Sequence, residues 1–275
     1  MSQSAPTTAE MTERFSKRYE VGQAKVLLDI ERNVCGCDYG GTSWTTRDEA
    51  DIIAAGLGLK PGVRLLEVGA GSGWPGLYLA KSTGCDVTLV DLPLSGLQIA
   101  RDRAQLDQHN GATWVSVGDG TKLPFQDKSF DAVFHSDVLC CLPDKLAVLK
   151  SCNRVLRASG KMVFPVIYIA PGLSEADYQK AVEGGPPFVD TPSDYPTLLD
   201  QAGWQVIERV DQTDEFLKSV KGFLDLEEHE NESLTAVLGA EAYSDALARR
   251  RAKMLALEKG LLRRELFSAI PRLKS

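Results

Sequence analysis

The sequence predicts an α/β fold built on a doubly wound, largely parallel sheet, and three observations predict it. Short apolar runs alternate with helical segments through the middle of the chain, the pattern of a parallel sheet with helices on both faces. A glycine-rich loop, EVGAGSGWPGLYLA from Glu67 to Ala80, follows the first of these runs. Asp91 closes the second run, about 20 residues past Gly71, the spacing at which an acid meets ribose hydroxyls.

Taken in order, residues 8–30 read as a helix marked by Phe15, Tyr19, Val26 and Leu27. A loop rich in glycine and small polar residues follows, NVCGCDYGGTSWTT. Thr46 and Glu49 stand three apart and form a capping box, which starts a helix that runs to Leu57 ahead of Gly58. Lys60-Pro61-Gly62 is a turn. Strands are expected at 64–68, 86–90, 113–117, 129–135, 161–170 and 204–210, and a last one after Gly260. Helices are expected at 76–82, 94–108, 142–156 (stopped by Ser159-Gly160), within 174–188, and at 195–201. Residues 213–259 read as helical and interrupt the sheet between its sixth and last strands. The expected organisation is therefore an N-terminal helical cap with a covering loop (1–58), a core (59–212 plus 260–275) and a helical lid insertion (213–259).

Bulk properties exclude several classes. Hydrophobic residues make up 43% of the 275, enough for a sizeable core. The net charge of -7 disfavours nucleic acid, whose backbone is bound through Lys and Arg. The basic run ARRRAK at 248–253 reads as a solvated helix face. No stretch of about 18 apolar residues suggests a membrane span, and the first residues lack the basic and apolar regions of a secretory signal. A cytoplasmic location is expected, with all six cysteines as thiols. Cys35-x-Cys37 and Cys140-Cys141 lack the C-x2-C spacing of zinc sites. The only histidines are His109, His135 and His229, so no metal is expected.

The loop itself has two readings. From Gly71 it spells G-x-G-x-x-G through Gly73 and Gly76, the pattern that seats a dinucleotide. From Glu67 it spells E-x-G-x-G-x-G through Gly69, Gly71 and Gly73. Asp91 suits the ribose of either ligand. Glu67 within the strand, Asp119 after the third strand and the run LPFQDKSFDAVFHSDVL at 123–139 favour the second reading.

With LLEVGAGSG, VDLP, GDGTKLPF, SFDAVF and RVLRASGKMVF in this order, the chain from about residue 60 to residue 165 resembles the class I S-adenosylmethionine-dependent methyltransferases. The similarity is to their small-molecule branch, typified by quinone-biosynthesis C-methyltransferases. The resemblance implies a Rossmann-like seven-stranded sheet with an antiparallel last strand, for which LLRRELFSAIP is the candidate. It implies S-adenosylmethionine as cofactor and a small molecule as methyl acceptor. It places Gly69, Ala70 and Gly71 under the methionine part of the cofactor, with Glu67 near its amino group or supporting the loop. It places Asp91 at the ribose, Leu92 on the adenine, Asp119 and Gly120 at the adenine edge, and His135 beside the sulfonium. Tyr39, Ser43 and Trp44 would close over the cofactor.

Methyl transfer needs alignment of the acceptor and, for a hydroxyl, a protonated amine or an acidic carbon, a base. His135 is the leading candidate, and Asp137 the next, as base or as orienter of the imidazole. Such a pair suits a hydroxyl, so O-methylation is the first expectation, with nitrogen and carbon open. The place that holds Asn/Asp-Pro-Pro-aromatic in enzymes acting on base amino groups here holds His135-Ser136-Asp137. Two rivals stand beside this reading. One is a non-catalytic S-adenosylmethionine-binding regulator or partner protein. The other is a nicotinamide-dependent oxidoreductase. Acceptor identity, oligomeric state and any role of the cysteines beyond packing do not follow from the sequence.

Overall fold

The computed structural model describes residues 6–107 and 111–272. Two helices open the chain, α1 (Thr8–Gly22) and α2 (Lys25–Cys35), and α3 (Arg47–Leu57) follows the glycine-rich segment. The sheet begins with β1 (Arg64–Val68), α4 (Gly76–Thr83) and β2 (Asp86–Asp91). It continues through α5 (Leu94–Leu106), β3 (Thr113–Val117), β4 (Phe130–Phe134), α6 (Lys145–Val155) and β5 (Leu156–Ile169). Next come α7 (Glu175–Gly184), α8 (Tyr195–Gln201) and β6 (Trp204–Asp211). Three helices, α9 (Thr213–His229), α10 (Asn231–Leu238) and α11 (Ala240–Glu258), precede the final strand β7 (Leu262–Pro271).

The seven strands lie in the order β3-β2-β1-β4-β5-β7-β6. All neighbours pair in parallel except β7, which is antiparallel to β5 and β6. This is the Rossmann-like arrangement expected, last strand included. Strand order reverses between β1 and β4, and in open α/β sheets the crevice beyond the carboxyl ends of the strands at such a point is the usual ligand site. The two-residue period divides the core in two: Leu65, Leu89 and Phe134 pack with α3, α4 and α5, whereas Leu66, Val90 and Val133 face the side of α6. No helix among the described residues is long and apolar enough to cross a membrane.

Local departures from expectation have physical causes. The segment 8–30 is two helices, because the chain crosses itself closely: a Cβ on Gly22 would stand 2.4 Å from the Gly40 carbonyl oxygen. The helix expected at 142–156 begins only at Lys145, capped by the Asp144 side chain on the Ala147 N–H at 2.9 Å. Pro143 precedes it and disfavours helical geometry for Leu142. It ends at Val155 rather than at Ser159-Gly160, since Leu156 already pairs with Phe130 in the sheet. Residues 213–259 divide at Glu230 and at Gly239, whose φ is 83°. The expected end of α5 at Gln108 lies outside the described residues, as does His109. The capping box at Thr46 and Glu49 is present as read.

One side chain ties the layers above the sheet together. Arg264 on β7 is 1% exposed. Its Nη1 donates to Glu49 Oε1 of α3 at 2.7 Å, while Nε and Nη2 reach the carboxylate of Asp137 at 3.1–3.2 Å. Burial works against the charge on Arg264. Asp137 and then Glu49 outweigh it and hold the guanidinium above its ordinary range. Removing one partner from such a buried cluster leaves the others desolvated and unpaired. Arg264→Met should therefore cost about 3–5 kcal/mol of stability, read as a lower urea midpoint at unchanged slope.

Candidate functional site

The glycine loop turns the chain sharply from β1 into α4. Gly69, Gly71 and Gly73 have φ of 73°, 50° and 96°, the left-handed region that only glycine enters freely. Close approach adds a second reason. A Cβ on Gly69 would meet Val138 at 2.5 Å, and one on Gly71 would meet the Tyr19 ring at 2.9 Å. Gly76 has a different cause: a Cβ there would lie 2.0 Å from Glu67 Oε2, which accepts the Gly76 N–H at 3.0 Å. The third glycine of the dinucleotide pattern is thus required by Glu67, behind the loop.

Glu67 is tied by that contact to the start of α4. Its carboxyl is buried, and burial pushes it up to about 8 against the pull of the Gly76 N–H. Asp91 sits at the opposite end of the loop. Its Oδ2 accepts from Gly71 N–H at 2.7 Å and its Oδ1 from Leu92 N–H at 2.8 Å. Burial raises it to about 6, opposed by those two backbone donors and by the Tyr19 hydroxyl. Asp119 is exposed and accepts from Thr121 N–H at 2.8 Å, and Gly120 packs beneath it near Val68.

A small cavity of about 30 Å³ lies against the loop. Gly69, Ala70, Gly71 and Ser72 form its floor, and Tyr19, Gly41, Thr42, Ser43, Trp74 and Ser136 its walls. That volume suits a water, not a nucleoside, so a nucleotide requires the walls to move. Tyr19, whose ring stands against Gly71 and Gly96, is the wall that fills the space on the Asp91 side. A larger hollow of about 370 Å³, between α5 and β3, lies away from the loop.

Three expectations for the covering segment resolve differently. Ser43 lines the cavity. Tyr39 does not: its ring packs on Trp74 at 5.2 Å and lies under the Arg103 guanidinium at 4.0 Å. Trp44 also turns away, standing edge-on to Phe216 and Phe223 of α9 at 4.9 and 5.5 Å, with Arg250 of α11 at 5.2 Å. In each case a large ring found a cationic and aromatic partner off the cavity.

The expected His135–Asp137 pair is absent. Asp137, at φ 52°, is committed to Arg264 and so is neither a free base nor the orienter of the imidazole. His135 is fully buried and stacked on Phe164 at 4.5 Å, and neither ring nitrogen has a hydrogen-bond partner among the described residues. Burial lowers it to about 3, so the imidazole is neutral at physiological pH. The neighbouring Ser136 faces the loop cavity instead. Cys140 and Cys141 lie on a short 3-10 turn rather than at a helix start. No group of three or more His, Cys, Asp or Glu that could hold a metal occurs among the described residues.

Tyr19, Ser136 and Arg264 are site residues that sequence reasoning did not pick out. Tyr19 read as one of several apolar marks on a helix, and nothing distinguished it. Arg264 did leave a signal, since the two-residue period puts it in step with buried Leu266.

Residues 66–164 match the family model described as a methyltransferase domain. Phosphoethanolamine N-methyltransferase 3 of Arabidopsis thaliana is 27% identical over 82% of this chain and 45% of its own length. The 27-O-demethylrifamycin SV methyltransferase of Amycolatopsis mediterranei is 31% identical over 56% of this chain and 58% of its own. The chain spans about half the length of these curated relatives. Among solved structures, the cyclase SpnF shares the fold over 99% of this chain and 98% of its own, with a TM-score of 0.75 at 20% identity.

The buried acid of β1 gives a pH signature. Its folded value of about 8 exceeds the ordinary 4.5, so between those values the folded state holds a proton that the unfolded state has lost. Stability should fall as pH rises through that window. Asp91 adds to the fall at its lower end. Urea unfolding of ligand-free protein from about pH 5 to about pH 8 should show this slope, and Glu67→Gln should flatten it while leaving Asp91's part.

Proposed function

As a class I S-adenosylmethionine-dependent methyltransferase, this chain, we propose, transfers a methyl group from that cofactor to a small-molecule acceptor, with oxygen the first acceptor atom to test and nitrogen or carbon next. The reading rests on one arrangement: a glycine cradle that Asp91 closes on the β2 side and hydroxyls wall on the β4 side, with an unpartnered neutral imidazole buried just after β4, outside the cavity lining. The residues suit the cofactor, since positive-φ glycines turn the backbone along the cavity floor and the Asp91 carboxylate, anchored on the Gly71 N–H, could accept from a ribose diol.

When bound, S-adenosylmethionine supplies an electrophilic methyl on a sulfonium. Asp91 would accept from the ribose hydroxyls, and Leu92 beside it would pack on the adenine. Asp119 and Gly120, after β3, would meet the adenine edge. The Gly69-Ala70-Gly71 backbone would run under the methionine part. His135 would hold its proton-accepting nitrogen free for an acceptor hydroxyl. Its low basicity when buried means that it accepts only as the acceptor oxygen gives up its proton in the transition state. The helices α9–α11 would exclude water and shape the acceptor pocket. Much of the rate would come from positioning.

The relatives bracket the acceptor. One is named for an amine substrate and the other for a hydroxyl, and a neutral base would serve a hydroxyl or a protonated amine. A second reading has one observation in its favour: a cyclase shares the fold over nearly the whole of both chains. In that reading the cofactor site would be retained while no methyl is transferred.

Calorimetric titration tests the cofactor, and turnover separates the two readings. S-adenosylhomocysteine should bind wild type, NADH should not, and Asp91→Ala should lose the binding. NADH binding alone would make the protein an oxidoreductase. Turnover of labelled S-adenosylmethionine should then appear with phosphoethanolamine or with a hydroxyl acceptor such as 27-O-demethylrifamycin SV. Where turnover is found, His135→Ala should lower it by about 10²–10⁴ and leave S-adenosylhomocysteine affinity unchanged. Full activity in that variant would remove the histidine from the chemistry.

A further inference from the structure

Three hydroxyls meet beside the glycine loop. Ser136 Oγ lies 2.9 Å from Ser43 Oγ and 2.7 Å from Thr45 Oγ1, and reaches Asp137 Oδ2 at 3.4 Å. Thr45 N–H also donates to Ser43 Oγ at 3.1 Å. A serine hydroxyl has one proton to give and two lone pairs to offer. Asp137, a carboxylate gripped by Arg264, can only accept. It therefore takes the proton of Ser136. Both lone pairs of Ser136 are then left for the protons of Ser43 and Thr45, neither of which has another acceptor among the described residues. Every proton in the cluster is placed. Ser43 is left with two lone pairs, one filled by Thr45 N–H and one open on the cavity that it lines.

The position of that open lone pair identifies what it meets. The loop after β1 is flanked by the end of β2, which carries Asp91, and by the end of β4, which carries Ser136. The reading above gives the Asp91 side to the ribose, so the Ser136 side falls to the amino-acid end of the cofactor. An acceptor there suits the ammonium of that end.

We propose that Arg264 is a positioning residue that acts through Asp137 and Ser136 to turn the Ser43 hydroxyl into a hydrogen-bond acceptor for the ammonium of the methyl donor. This rests on the functional reading above. Arg264 touches neither the cavity nor the reacting atoms. It fixes the direction of a chain of protons that starts with an acceptor-only carboxylate. An amide in place of that carboxylate could donate to Ser136 and reverse the chain.

The test compares two ligands. S-adenosylhomocysteine carries the amino-acid end, and 5′-methylthioadenosine lacks it. Both are titrated into wild type, Ser136→Ala and Asp137→Asn, and each variant is checked by thermal melting. Ser136→Ala should weaken S-adenosylhomocysteine about tenfold, as expected for loss of a hydrogen bond to a charged group. It should leave 5′-methylthioadenosine within about twofold. Asp137→Asn, where it folds, should show the same split. Equal weakening of both ligands would mean a general loss of structure and would overturn the proposal, as would unchanged S-adenosylhomocysteine affinity. A wild type that binds neither ligand would instead remove the cofactor assignment itself, and the relay with it.

Discussion

Arg264 brings a positive charge to a place where three distant parts of the chain converge: the last strand, the first turn of α3 and the turn that follows β4. A buried guanidinium tolerates few arrangements. It needs carboxylates at fixed distances, and each carboxylate in turn needs its own backbone held. Glu49 is held because it is also the far half of the α3 capping box. Asp137 is held in a left-handed conformation with its N–H on the Pro165 carbonyl at 3.0 Å. The antiparallel insertion of β7 is what carries the arginine under both. The covering segment, the acidic turn and the sheet therefore share one electrostatic anchor, and the cavity beside the glycine loop is built outward from it.

The same region shows charge avoided as well as charge paired. Glu67 and His135 are each buried without a counter-ion, and each is shifted toward its neutral form. A neutral acid behind the loop still accepts from Gly76, so the loop is held without a stray negative charge at its floor. A neutral imidazole beyond β4 keeps an open lone pair. At the β2 end of the loop Asp91 keeps a carboxylate held by two backbone N–H groups, and under the proposed function it would meet the ribose diol. That distribution suits a ligand whose own charges are borne on a sulfonium and an amino-acid end.

Most of the sheet was legible because β1 to β4 are short, mostly apolar runs of five or six residues set between turns and helices. The capping box of α3 was legible because its two side chains report a local geometry. Where local patterns met long-range ones, the reading failed. The break after Gly22 depends on Gly40, which no neighbouring residue announces. Tyr39 and Trp44 were assigned to the cavity by their place in the chain, yet their rings turned to Arg103 and to the α9–α11 helices. Asp137 looked like a partner for the histidine two residues before it, whereas its partner lies 127 residues further on. Side-chain destinations set by tertiary pairing leave little trace in spacing. A charged residue in step with a buried strand position, as at Arg264, is the trace they do leave.

Trp44 stands one residue from the hydroxyl that lines the cavity, and its indole is wedged among Phe216, Phe223 and Arg250. A wall of the glycine-loop cavity and the α9–α11 helices are therefore joined through a single ring. A displacement of that ring on one side is a displacement on the other. Were two ligands to press on it from opposite sides, each would change the other's dissociation constant by the same factor.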